Sequence, residues 1–200
     1  MAIQARTGST LFADFLELVR GDQKADLIDG VIYMASPENL EHNELSTWLA
    51  GALGAYVRRR QLGRVVSSRV AFRLATNNSP EPDIAFIAAS RLHLIRPGYV
   101  DGPPDVAIEI VSPDSVQRDY EQKRTQYETA GVAEYYIFDA DERPATFLLR
   151  EQERFVDRSP AHGPFESGAI AALRIDPLWL WQRPLPDALA TVQQLLGDDG

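Results

Sequence analysis

Two hundred residues, 44% of them hydrophobic, with a mean hydropathy of −0.24, suit one folded domain with a sizeable core. The net charge of −9 argues against a protein that coats nucleic acid by long-range attraction, though it leaves room for a local basic groove around an acidic centre. With no cysteine there is no disulfide and no thiolate metal site, no apolar run reaches the roughly 18 residues of a membrane span, and the opening "MAIQARTGSTLFADF" lacks a secretory apolar region, so a cytoplasmic protein is expected.

In chain order, Leu11, Phe12, Phe15, Leu18 and Val19 recur at helical spacing and predict a helix over 10–20, stopped by Gly21. "ADLIDGVIYMAS" predicts a hairpin around Asp29-Gly30, a strong two-residue turn signal. A helix from about Asn43 to Gln61 follows, with Leu45, Trp48, Leu49, Leu53, Tyr56 and Val57 as its apolar stripe and Gly63 beyond its end. Residues 64–74 read as one strand, 77–79 as a polar turn, "DIAFIAA" as a second strand and 90–104 as a surface loop.

"VAIEIV", 106–111, is a third strand. A helix over 116–130, closed by Gly131, a strand over 133–140, a hairpin from 142 to 158 and a short helix near 186–196 complete the chain. The order helix, three strands, helix, strand implies an α/β sandwich with a mixed central sheet flanked by helices. One domain over 1–200 is expected, with a core at about 42–140, an N-terminal helix and hairpin at 10–36, and a C-terminal hairpin and tail at 141–200.

Glu109 interrupts an otherwise apolar strand, where an unpaired carboxylate costs several kcal/mol. Asp105 points to the same face but lies about 13 Å away along the strand. Metal–oxygen bonds are only about 2.0–2.6 Å, so the two cannot share an ion. Asp83 opens the neighbouring strand, about 4.8 Å away, and is the better partner. An arginine salt bridge is the competing explanation for Glu109, and a turn-capping role the competing one for Asp83.

Of twenty basic residues only Lys24 and Lys123 are lysines. Lys123 shares a helix face with Asp119 and Tyr127, at i, i+4 and i+8, which would aim it at Glu109 if that helix packs beside the third strand. Two carboxylates and a lysine suit phosphodiester hydrolysis. The carboxylates hold a divalent cation such as Mg²⁺, and the ammonium stabilises developing negative charge.

The stretches "DLIDGVIYMASPENLEH", "PEPDIAFI", "PPDVAIEIVSPDS" and "DYEQKRTQYETAGVAEYYIFD" resemble the Uma-type restriction endonuclease family, a domain of unknown function within the PD-(D/E)XK nuclease superfamily. The resemblance spans about 10–180 and implies a restriction-endonuclease-like core. It also implies an endonuclease cutting DNA, metal binding by Asp83 and Glu109, a catalytic Lys123, Mg²⁺ (or Mn²⁺) as cofactor, and a homodimer. The superfamily's usual lysine position, two residues after the acid, holds Val111; the Uma-type pattern moves the lysine to the following helix, where Lys123 fits.

Asp26 stands where the family has glutamate and reaches about one methylene less. His42 matches a family histidine that orients water or phosphate. Asp26, His42 and Tyr127 are therefore accessory candidates, each with a bland competing role in capping, packing or at the surface. Arg58–Arg60 end a helix and complement its dipole, Arg69 and Arg73 have no assigned role, and Trp179 and Trp181 are expected in the core or an interface. The main alternative is a catalytically inactive module of this fold that binds nucleic acid or a protein. A weaker one is hydrolysis of another phosphoester or a glycosidic bond.

Overall fold

The structure, a computed structural model, describes residues 9–19, 23–139 and 145–197. The expected features at Arg20, Gly21, Ala140 and 142–144 lie outside these residues, as do both chain ends. Helix α1 (Phe12–Leu18) buries Phe12 and Phe15 against the hairpin of β1 (Ala25–Ile28) and β2 (Val31–Met34). Asp29 and Gly30 have φ of 49° and 76°, the doubly left-handed turn that Asp-Gly favours. The polar turn at 77–79 supports it: Asn78 Oδ1 accepts from Asp29 N at 2.6 Å.

Helix α2 (Leu40–Arg59) starts earlier than its apolar stripe suggested, because Asn39 caps it and accepts from His42 N at 2.8 Å. Its end is made by Gln61 in the left-handed region, whereas Gly63 serves a close approach. A Cβ on Gly63 would lie 2.1 Å from the Ile87 carbonyl oxygen.

The predicted strand 64–74 is two strands in two sheets. β3 (Gly63–Ser67) ends where Ser68 and Arg69 turn left-handed, at φ of 38° and 56°, and β4 (Ala71–Phe72) joins another sheet. After β5 (Ile84–Ala88), the expected loop 90–104 carries a 3-10 turn and the short β6 (Ile95–Arg96) and β7 (Tyr99–Val100), which pair with each other while β7 also pairs with β4. Two-residue strands leave no periodicity to read.

β8 (Val106–Ile110) is followed by a π-helical turn, Arg118–Lys123, that runs into α3 (Arg124–Ala130). Next come β9 (Glu134–Phe138), the hairpin of β10 (Thr146–Glu151) and β11 (Arg154–Asp157), the short β12 (Phe165–Glu166) and β13 (Arg174–Ile175), and α4 (Ala188–Leu196). The central sheet runs β11-β10-β9-β8-β5-β3 and is mixed: β8 and β9 are parallel and the other neighbours antiparallel. The mixed α/β architecture expected from the sequence is the one found.

Strand alternation decides what each face carries. Val106, Ile108 and Ile110 join Leu45, Leu49, Leu53 and Tyr56 of α2 in the larger core. Ala107 joins Tyr127, Tyr135 and Ile137 on the opposite face, beneath α3. Glu109, in step with Ala107, is thereby directed to the α3 side. Leu180 fills the larger core and Trp181 packs against it, whereas Leu178 of the same "PLWLWQ" stretch is exposed.

Candidate active site

β5 and β8 pair with Ile84 opposite Ile108 and Ala85 opposite Ala107; one step further sets Asp83 opposite Glu109. Asp83 completes the end of that ladder, since its Oδ2 accepts from Ile110 N at 2.7 Å. Both carboxylates are buried, Asp83 at 3% and Glu109 at 1% exposure. Asp105 is elsewhere: it binds Arg91 at 2.9 Å and Ala88 N at 2.7 Å, tying the loop to the sheet.

Helix α3 and its π turn supply the other side. Lys123 Nζ lies 2.9 Å from Glu109 Oε1, 3.2 Å from Asp26 Oδ2 and 3.5 Å from Asp119 Oδ1. Tyr127 donates its hydroxyl to the same Glu109 oxygen at 2.9 Å. Arg118 Nε is 3.3 Å from Asp26 Oδ2. The wider π turn carries Asp119 and Lys123 inward together, and both are 2% exposed. Asp26, contributed by β1, also accepts from Glu81 N at 2.9 Å, so the hairpin is locked onto the segment that precedes Asp83.

Helix α2 delivers a third group. His42 Nε2 stands 3.3 Å from Asp83 Oδ2 and its Nδ1 3.2 Å from Glu38 Oε2. One ligand atom each from Glu38, His42 and Asp83 lies within 4.8 Å of the others. Lys24 pairs with Asp83 Oδ1 and is 4.0 Å from Glu38 Oε1. Lys24, Asp26, Glu38, His42, Asp83, Glu109, Arg118, Asp119 and Lys123 line a cleft of about 300 Å³ between the open end of the hairpin, the start of α2 and the π turn.

Carboxylates outnumber cations here, and the titrations reflect it. Burial pushes Glu109 up to about 8 against the pull of Lys123, with Asp119 and Asp83 adding repulsion in the same direction as burial. Burial also raises Asp119, and pushes Glu81 up to about 7. Burial works the same way on Asp83, but Lys24 and His42 overcome it and hold that carboxyl well below the usual range. Burial favours a neutral Lys123, yet Asp26, Glu109 and Asp119 prevail and raise its pKa above the ordinary lysine value. The site therefore keeps Lys123 as a fixed ammonium, suited to stabilising charge and unsuited to taking a proton.

Asp83, Glu109, Lys123, Asp26 and His42, all named from the sequence, line this cleft, and Tyr127, also named, is joined to it through Glu109. Lys24, Glu38, Glu81 and Arg118 were not anticipated. Among the arginines, Arg60 donates to Leu196 O at 3.0 Å and lies over Tyr56, while Arg73 pairs with Asp101 at 2.5 Å.

The model of the Uma2 family, described as "Putative restriction endonuclease", matches residues 12–174. The chain belongs to this family. The Uma2 match runs from α1 to β13 and includes every site residue named above. A crystal structure of "a putative nuclease belonging to DUF820" from Anabaena variabilis ATCC 29413 shares the fold, with a TM-score of 0.68. It is 20% identical, over 86% of this chain and 97% of that one. No curated protein matches the chain. Among the described residues, no helix is long and apolar enough to cross a membrane.

Proposed function

We propose that this Uma2 chain is a divalent-metal-dependent endonuclease that hydrolyses DNA phosphodiester bonds. The observation that carries the reading is the meeting of three groups at one point: Asp83 immediately before β5, Glu109 across the ladder on β8, and Lys123 at 2.9 Å from Glu109. An isolated structural glutamate would need one cation. This one has Lys123 and shares a cleft in which Asp26, Glu38, Asp83, Glu109, Asp114 and Asp119 face Lys24, Arg118 and Lys123, a majority of carboxyl groups that a divalent cation would balance.

The donor set fits such an ion. Asp83 and Glu109 offer hard oxygens, suited to Mg²⁺ or Mn²⁺, and Glu38 and His42 add an oxygen and an imidazole nitrogen beside Asp83. A cation held there supplies a Lewis acid toward a phosphoryl oxygen and favours ionisation of water. Lys123, anchored by three carboxylates, presents a permanent positive charge to the phosphorane oxygens. Tyr127 fixes the Glu109 carboxylate, and His42, held between Glu38 and Asp83, orients the entering group. Cutting both strands of a duplex calls for two such sites, and a homodimer would provide them.

Purified protein supplied with Mg²⁺ or Mn²⁺ should cut DNA, and Glu109→Gln and Lys123→Ala should lose cleavage while keeping their far-UV circular dichroism. Failure to cut any DNA form, together with no divalent-ion binding by calorimetry, would favour the inactive binding module instead.

A further inference from the structure

A second depression, about 1050 Å³, adjoins the carboxylate cleft and shares Lys24 and residues 35–39 with it. Its walls differ sharply from those of the cleft. Asn43, Ser46 and Thr47 line it from one face of α2, with Ser67 and Arg69 on the other side. Glu38, at the border with the cleft, is the acid among the described lining residues, against Lys24 and Arg69. The whole chain carries 29 acidic side chains against 20 basic ones, so a groove with this balance runs against the protein's overall charge.

The far wall is tied to the site itself. Ser68 N donates to the Asp83 carbonyl oxygen at 2.9 Å, immediately before the chain enters β5. Ser68 and Arg69 are consecutive non-glycine residues in the left-handed region, an unfavourable conformation retained where surrounding structure enforces it. Arg69 is exposed on that turn. Of the two arginines the sequence left without a role, Arg73 is taken up by Asp101, and Arg69 faces the groove.

We propose that this groove holds the phosphodiester strand on one side of the scissile phosphate, gripping its backbone and not its bases. The inference rests on the nuclease reading above. Short hydroxyl and amide side chains are the groups that position phosphates and sugars, and Lys24 and Arg69 supply charge at the two sides. No aromatic side chain is among the described lining residues, so the groove offers no stacking platform and little sequence preference.

The test is fluorescence anisotropy of a short labelled oligonucleotide, as single strand and as duplex. The full chain is used with Ca²⁺ present, each strand is checked intact by gel, and the measurement is repeated across salt concentrations. Arg69→Ala should lower the slope of log K against log salt by about 0.7 for a single strand or 0.9 for a duplex, one phosphate contact. The isosteric and exposed Asn43→Asp should weaken binding about tenfold, as one like charge close to a phosphate does. Neither change should alter Ca²⁺ binding by calorimetry.

Tighter binding of the single strand identifies an unpaired strand as the occupant, and tighter binding of the duplex identifies one strand of a helix. Wild-type binding with both variants indistinguishable from it overturns the groove and leaves the nuclease reading standing. If wild-type protein binds neither DNA form, both fall.

Discussion

Lys123 Nζ stands 2.9 Å from Glu109 Oε1, and the two side chains are 3% and 2% exposed. They reach each other because strand alternation turns Glu109 to the α3 side of the sheet while the π turn swings Lys123 inward. A buried pair of this kind is costly to break from one side. Lys123→Met should destabilise the metal-free protein by about 3–5 kcal/mol, because Asp26 and Asp119 lose the cation they share. Glu109→Gln should change stability by less than about 1 kcal/mol near pH 7, since the native carboxyl is already largely protonated there. Urea unfolding of both variants measures the contrast.

The pH dependence follows from the same group. Folded Glu109 keeps its proton up to about 8, whereas the unfolded chain releases it near 4.5. Between those values the folded state binds more protons, so stability should fall as pH rises from about 4.5 to 8. Glu81 acts in the same sense up to about 7. His42, also raised, contributes stability that is fully present below 6.5 and is lost as pH climbs through its folded value. Denaturation midpoints of metal-free protein across this window should decline toward alkaline pH.

A cation that binds Glu109 must displace its proton. Calorimetric titration of Mn²⁺ at pH 7 should therefore release protons, seen as an enthalpy that varies with the ionisation heat of the buffer. Affinity should rise with pH toward 8. A buffer-independent enthalpy would place binding away from Glu109.

Lys24 occupies an Asp83 oxygen and so competes with any ion that uses it. Lys24→Met should bind Mn²⁺ more tightly than wild type. It should also be less stable without metal, because Asp83 loses the cation that offsets its burial most strongly. Thermal shift with and without Mn²⁺ reads both effects together.

Much of this site was legible as sequence because it depends on strand geometry. A period of two assigns Glu109 a face, strand spacing dismisses Asp105, and the short step between neighbouring strands points to Asp83. The scarcity of lysine singles out Lys123 and applies equally to Lys24, whose neighbours in the sequence do not point it at a carboxylate. Glu38 and His42 stand four residues apart at a helix start, a readable i, i+4 pair. Glu81 and Arg118 needed the hairpin's docking to be known. The π turn left no trace in the pattern, and the break of 64–74 into two strands turns on left-handed Ser68 and Arg69, positions where sequence gives no glycine to announce a turn.

The most direct test of the metal-dependent reading is a crystal of the protein soaked with Mn²⁺ and measured for anomalous scattering. A peak about 2.0–2.6 Å from carboxylate oxygens of both Asp83 and Glu109, with Lys24 withdrawn from Asp83, is the predicted result. A map without a peak at this cluster, and with Lys24 still on Asp83, would contradict it.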